Sequence, residues 1–269
     1  MPELPEVETT RRGIAPWLDG AVVTHTQVRA PRLRWPIPEA IRQLRDEPVR
    51  GVRRRAKFLL LDLASGQLLL HLGMSGSLRV VPADTAAGPH DHLDLVLDSG
   101  SALRLRDPRR FGAALWTPEP DLHPLLNDLG PEPLDPEFDG DWLYTRSRGR
   151  RRAVKDFIMD ARILVGVGNI YAQESLFRAG IHPARAAGRV GRARYRVLAE
   201  TIRTVLAEAI DVGGTTLRDF AGADSAPGWF RQQLTVYGRG GEPCRNCGRA
   251  LRLTRHGQRA TVYCTRCQR

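Results

Sequence analysis

Met1-Pro2-Glu3-Leu4-Pro5-Glu6-Val7-Glu8 sets two prolines and three glutamates at the head of an amphipathic pattern. Val7, Ile14, Ala15 and Leu18 recur at helical spacing over 5–18, and Gly20 closes the run. Proline suits a first helical turn, where its missing N–H costs nothing. Glutamates suit the positive end of the helix dipole. The same residues are open to a second chemistry. Pro2 is small, so removal of the initiator methionine is expected, leaving a proline ring nitrogen as the terminus beside Glu3. A terminal amine titrates near ~8 against roughly 10.4 for lysine, so far more of it is free base at neutral pH. A secondary amine that attacks an electrophilic carbon gives an iminium directly.

Past Gly20 come short strand-like runs at 21–29, 49–57, 58–63, 67–72, 77–81, 93–97, 102–106 and 113–117, with turn signals such as Ser65-Gly66 and Ser99-Gly100 between them. Strands this closely spaced predict a β-sandwich. Gly130-Pro131-Glu132-Pro133 and Leu134-Asp135-Pro136 then change the composition to an acidic, proline-rich stretch that reads as a linker. The pattern next turns helical over 153–161, 169–179, 191–212 and 216–220. In the third of these Tyr195, Leu198, Ile202, Val205, Leu206 and Ala209 share one face. From Thr235 onward the chain is β-rich. The expected fold is multidomain α+β: an N-terminal β-sandwich with a flanking helix (1–130), a linker (131–149), a helical domain (150–234) and a cysteine-bearing finger (235–269).

The formal net charge is +11 and the pI about 10.4, an excess that points to a polyanion, most simply nucleic acid. An arginine-rich genome would raise the charge too. No run approaches the roughly 18 apolar residues of a membrane span. The acidic N-terminus lacks the features of a secretory signal, so a soluble intracellular protein is expected. Of 41 basic residues only two are lysines, Lys57 and Lys155. An amine nucleophile is therefore Lys57, Lys155 or the terminal nitrogen. Arginine serves wherever a charge suffices, and the two exceptions point to a need for a compact ammonium.

All four cysteines fall near the end, as Cys244-x-x-Cys247 and Cys264-x-x-Cys267. That spacing fits one tetrahedral structural Zn2+, whose four sulfur ligands leave no position for water. Two disulfides or four free thiols are the alternatives, and disulfides are disfavoured without secretion.

Five stretches together resemble the bacterial formamidopyrimidine-DNA glycosylase family: Pro2-Glu3-Leu4-Pro5-Glu6-Val7-Glu8, Leu72-Gly73-Met74-Ser75-Gly76, Asp107-Pro108-Arg109-Arg110-Phe111-Gly112, Gly166-Val167-Gly168-Asn169-Ile170-Tyr171 and the four-cysteine finger. They occur in order over essentially the whole chain. The resemblance implies a helix–two-turn–helix domain ahead of a β-hairpin zinc finger. It implies a glycosylase that removes oxidised purines such as 8-oxoguanine from double-stranded DNA, followed by abasic-site cleavage through β,δ-elimination. In that scheme Pro2 attacks the deoxyribose C1′, Glu3 protonates the sugar ring oxygen and Glu6 supports the site. Lys57 approaches the lesion and its phosphates, and Arg259 serves δ-elimination.

The same resemblance makes Met74, Arg109 and Phe111 a wedge that fills the gap left by an extruded base, which costs a few kcal/mol to pull from the stack. Ordinary core packing is the competing reading for Met74 and Phe111. His71, His90, Arg150, Lys155 and Asn169 become DNA contacts, and small residues around 213–228 a lid over the extruded base, with Arg218 where many relatives carry lysine. The implied enzyme acts as a monomer in the bacterial cytoplasm, at the nucleoid. Two alternatives stay open: an endonuclease VIII-like enzyme for oxidised pyrimidines, and a catalytically silent damage binder.

Overall fold

The computed structural model describes residues 2–213, 234–256 and 258–269. The expected helix at 216–220, Arg218 and all of the expected lid but Gly213 lie outside them. The chain forms two compact units that divide at Asp128 and Leu129.

The first unit opens with helix α1 (Leu4–Leu18), which buries Leu4, Val7, Ile14 and Leu18. Strands β1 (Val22–Val28), β2 (Arg45–Arg55), β3 (Phe58–Leu63), β4 (Gln67–His71), β5 (Ser77–Pro82), β6 (Asp91–Leu97), β7 (Ser101–Arg106) and β8 (Ala113–Thr117) follow, with a one-turn helix α2 (Glu39–Arg42) between β1 and β2. They pair in the order β5-β7-β6-β1-β2-β3-β4-β8, and every pairing is antiparallel. This is the expected β-sandwich. Leu59, Leu61 and Leu63 of β3, Leu68 and Leu70 of β4, and Leu93, Leu95 and Leu97 of β6 alternate into one core with Val7, Ile14 and Leu18 of α1. Strand β2 starts four residues before the expected 49, because Arg45-Asp46-Glu47-Pro48 lacks an apolar alternation yet pairs with β1 through Val22↔Pro48 and His25↔Arg45. A short helix α3 (Pro124–Asn127) closes the unit.

The second unit holds helices α4 (Gly140–Ser147), α5 (Val154–Ile158), α6 (Asn169–Arg178) and α7 (Arg192–Asp211), then a hairpin of β9 (Arg252–His256) and β10 (Arg259–Tyr263). The stretch 131–149, expected as a linker, carries α4. The Asp139 carboxylate accepts the Trp142 N–H at 2.7 Å and caps the helix. Phe138 and Leu143 are fully buried. At Gly140 an added Cβ would sit 2.3 Å from the Arg196 Cα, so only glycine lets α4 approach α7 this closely. Acidic and proline-rich composition hid a helix anchored by few apolar residues. The hairpin packs on α6 through Phe177, Val236, Leu251 and Val262.

Candidate functional site

Glu3 and Glu6 are both buried at the head of α1 and close a capping box, with Glu6 Oε2 accepting the Glu3 N–H at 2.8 Å. Two carboxylates thus lie at the helix start next to Pro2. Glu8 is engaged differently. Burial pushes its carboxyl up, but hydrogen bonds from Arg11 and Arg12 and the charge of Arg54 outweigh that and hold it below the usual range. Arg54 ties α1 to the β2–β3 turn. It meets Glu8 at 3.2 Å and donates to the Ala56 carbonyl at 3.0 Å, one residue before Lys57.

Strand register gathers the next candidates. Phe58 pairs with His71, and His71 pairs with Ala113. Lys57, Leu72-Gly73-Met74 and Phe111-Gly112 therefore leave β3, β4 and β8 at the same end of the sheet. Ala56 adopts a left-handed φ of 54°, uncommon for a residue with a Cβ. The His71 ring packs 5.0 Å from Phe58, and its Nδ1 accepts the Gly73 N–H at 2.9 Å. The proton of the neutral ring is therefore on Nε2. Burial first, then the nearby charges of Lys57 and Arg34, push the His71 pKa down to about 4. His71 is thus a neutral donor among cations at physiological pH. Arg34, overlooked in the sequence, belongs to this group, and its N–H donates to the Gly112 carbonyl at 3.0 Å. Nothing but one more arginine marked it.

Met74 and Phe111 are 43% and 45% exposed, so core packing does not account for them. Arg109 stacks its guanidinium 4.7 Å from the centre of the Phe111 ring. The turns that carry them touch backbone to backbone. Gly73 has φ +61°, and a Cβ there would meet the Phe111 carbonyl carbon at 2.4 Å. Half-buried His90 stands just before β6 and accepts the Asp107 N–H through its carbonyl at 2.9 Å. Asp107, quoted in the motif but given no role, is fully buried where the turns meet.

In the second unit Asn169 begins α6, and its amide donates to the Ala260 carbonyl at 3.2 Å. Gln173, one turn later, donates to the same carbonyl at 3.1 Å and accepts the Val262 N–H at 2.6 Å. Arg259, next to Ala260, is exposed at the start of β10, and Arg150 is exposed after α4. Lys155 lies on α5. It is fully buried, and its ammonium donates to Thr261 Oγ1 at 2.7 Å. Val154, Phe157 and Ile158 of α5 are buried beside it. The four cysteine sulfurs all lie within 4.8 Å of one another, with Cys244–Cys267 at 3.9 Å and Cys247–Cys264 at 3.5 Å.

Three family models match in sequence order: the formamidopyrimidine-DNA glycosylase N-terminal domain over residues 1–114, its H2TH domain over 129–221, and a zinc finger found in Fpg and isoleucyl-tRNA synthetase over 241–269. The formamidopyrimidine-DNA glycosylase of Alcanivorax borkumensis is 62% identical over 269 residues, covering all of both chains. This chain belongs to the formamidopyrimidine-DNA glycosylase family. Its fold is similar to the crystal structure of the Thermus thermophilus MutM (Fpg) protein, with a TM-score of 0.87 at 39% identity over 99% of this chain and 98% of that one. It is similar as well to a Lactococcus lactis Fpg mutant in complex with Fapy-dG-containing DNA, with a TM-score of 0.90 at 29% identity over 99% of each chain. The finger matches its family by chemistry too. A tetrahedron of Zn–S bonds of ~2.3 Å has sulfur–sulfur edges of roughly 3.8 Å, and the measured pairs bracket that value. Cys244, Cys247, Cys264 and Cys267 hold one structural Zn2+, with all four ligand positions filled by sulfur.

Proposed function

We propose that this protein excises oxidised purines, such as 8-oxoguanine and formamidopyrimidines, from double-stranded DNA and then cleaves the resulting abasic site. The observation that carries this reading is Pro2 at the head of α1 beside two buried carboxylates, in a chain that matches the family from end to end. With Met1 removed, the Pro2 nitrogen attacks C1′ of the damaged nucleotide and the bond from C1′ to the base breaks. Glu3 protonates the sugar ring oxygen, and the ring opens to an iminium. Glu6 holds the Glu3 backbone in place. Loss of a C2′ proton expels the 3′ phosphate. Lys57 assists elimination, and Arg259 assists the second elimination that releases the 5′ phosphate.

Met74, Arg109 and Phe111 fill the gap left by the extruded nucleotide. Only arginine of the three can donate hydrogen bonds to the orphaned base. His71 through its Nε2–H, His90, Arg150 and Asn169 hold the phosphate backbone. Lys155 serves the fold instead. The zinc supplies no chemistry to the reaction and fixes the hairpin that bears Arg259. The enzyme works as a monomer on DNA in the bacterial cytoplasm. Among the described residues no helix is long and apolar enough to cross a membrane.

The test is borohydride trapping on duplex DNA carrying 8-oxoguanine, with the terminal mass of the protein measured alongside. Loss of Met1 and a covalent adduct are expected, with trapping greatly weakened in Pro2→Gly while DNA binding persists. Trapping that survives in Pro2→Gly but vanishes in Lys57→Ala would show that the wrong amine is assigned. Preferential release of oxidised pyrimidines would move the protein to the endonuclease VIII-like branch, and binding with no trapping would make it a silent damage binder.

A further inference from the structure

The three wedge side chains come from two turns, 72–76 and 107–112, which nothing in the sequence obliges to move together. Beyond their backbone contact, one buried side chain joins them. Asp107 Oδ1 accepts the Ser75 hydroxyl at 2.8 Å, beside Met74, and the Arg109 N–H at 3.3 Å. Its Oδ2 accepts the Gly112 N–H at 2.7 Å, beside Phe111. The Asp107 carbonyl accepts His92 Nε2–H at 2.9 Å and the Arg110 N–H at 3.2 Å, and the Asp107 N–H donates to the His90 carbonyl at 2.9 Å. The residue thus spans both turns and β6.

A carboxylate that only capped its own turn would account for the Arg109 and Gly112 contacts, a common use of aspartate. It would not account for Ser75, 32 residues away on the other turn. The geometry is also strained. Arg110 has a left-handed φ of 55°, a conformation that persists only where surrounding contacts enforce it. The Asp107 carbonyl bonds to that residue's own N–H. The glycine contacts leave no slack, since a Cβ on Gly112 would lie 2.6 Å from the His71 carbonyl oxygen and 3.0 Å from Asp107 Oδ2.

We propose that Asp107 is a positioning residue for base extrusion: its carboxylate splints the Met74 turn to the Arg109–Phe111 turn, so that the three side chains enter the duplex as one rigid unit. This rests on the excision reading above. Neither carboxylate oxygen touches DNA in this role. Fixed spacing matters because the vacated position must be filled while the orphaned base opposite it is held, and a misplacement of about 1 Å can cost ~100-fold in rate.

Ser75→Ala removes the link to the Met74 turn while leaving every backbone contact of Asp107 in place. Asp107→Asn keeps the size but turns one acceptor into a donor. Single-turnover excision of 8-oxoguanine from duplex DNA should slow by about 10–100-fold in both variants, with KM changed little. Cleavage of a duplex with a ready-made abasic site should fall far less, because no base must be pulled from the stack. Ser75→Ala added to Met74→Ala should give no further loss, since the splint then has no side chain to place. Asp107→Asn should also blur discrimination between cytosine and adenine opposite the lesion. Full-rate excision by Ser75→Ala, equal losses on both substrates, or multiplicative losses with Met74→Ala would each overturn the role of Asp107. If Asp107→Asn does not fold, Ser75→Ala, at a partly buried hydroxyl, carries the same test. Wild-type protein that excises no 8-oxoguanine would overturn the functional reading itself, a result distinct from an active wild type with an unaffected Ser75→Ala variant.

Discussion

His71 shows how one side chain can be set by its neighbours before any ligand arrives. Its Nδ1 is committed to the Gly73 N–H, and burial with the charges of Lys57 and Arg34 brings its pKa to about 4 from an ordinary 6.5. The folded state therefore binds this proton less readily than the unfolded chain. Stability from His71 is complete above pH ~6.5 and is lost as pH falls toward the folded value. Thermal melts of His71→Gln should accordingly fall less between pH 7 and 5 than those of the wild type. An NMR titration in which His71 protonates near 6.5 would remove the basis for that expectation. Met74 and Phe111 give the complementary case. Buried side chains of this size cost about 2–5 kcal/mol on truncation to alanine, but these are nearly half exposed. Met74→Ala and Phe111→Ala should barely shift the melting temperature yet slow duplex excision. Large melting shifts, with excision tracking the folded fraction, would return both residues to a packing role.

At the scale of elements, the strands were legible because their alternation is dictated by a one-sided core, as in Leu59, Leu61 and Leu63. Helix α4 was not, since its stretch offers little beyond Phe138 and Leu143 to bury and the decisive feature is the missing Cβ of Gly140. The direction of Lys155 was illegible for a related reason. Lysine scarcity correctly marked it as unusual, but nothing local says that a charge after three arginines turns inward to Thr261. Placing it there has a measurable consequence. Lys155→Met should destabilise the protein by about 1.5–3 kcal/mol, the range for a hydrogen bond to a charged group. It should leave the salt dependence of DNA binding unchanged, because no phosphate contact is lost. Arg150→Ala should do the reverse, with stability kept and the salt slope reduced by about one. A reduced slope in Lys155→Met would mean that its ammonium reaches DNA after all.

At the scale of the molecule, two kinds of stability meet in one chain. The first unit has an extended core shared by α1 and eight strands. The finger has two strands and a handful of buried side chains, and an isolated two-stranded hairpin is marginal in water. Metal binding must supply the difference, so zinc affinity and finger folding are one equilibrium. The hairpin is also where Lys155, Asn169 and Gln173 converge, on Thr261 and on the Ala260 carbonyl. Melting it would release Arg259 and break those bonds together. One zinc per chain is expected by metal analysis. Stripping it with a chelator should abolish hydrogen-exchange protection in β9 and β10, weaken DNA affinity and suppress the second elimination more than the first. Protection in β1 to β8 should survive, because their core contains no cysteine. Full DNA affinity in verified metal-free protein would show that the finger folds without its ion. Loss of protection throughout the first unit would show that the two cores are not thermodynamically separate.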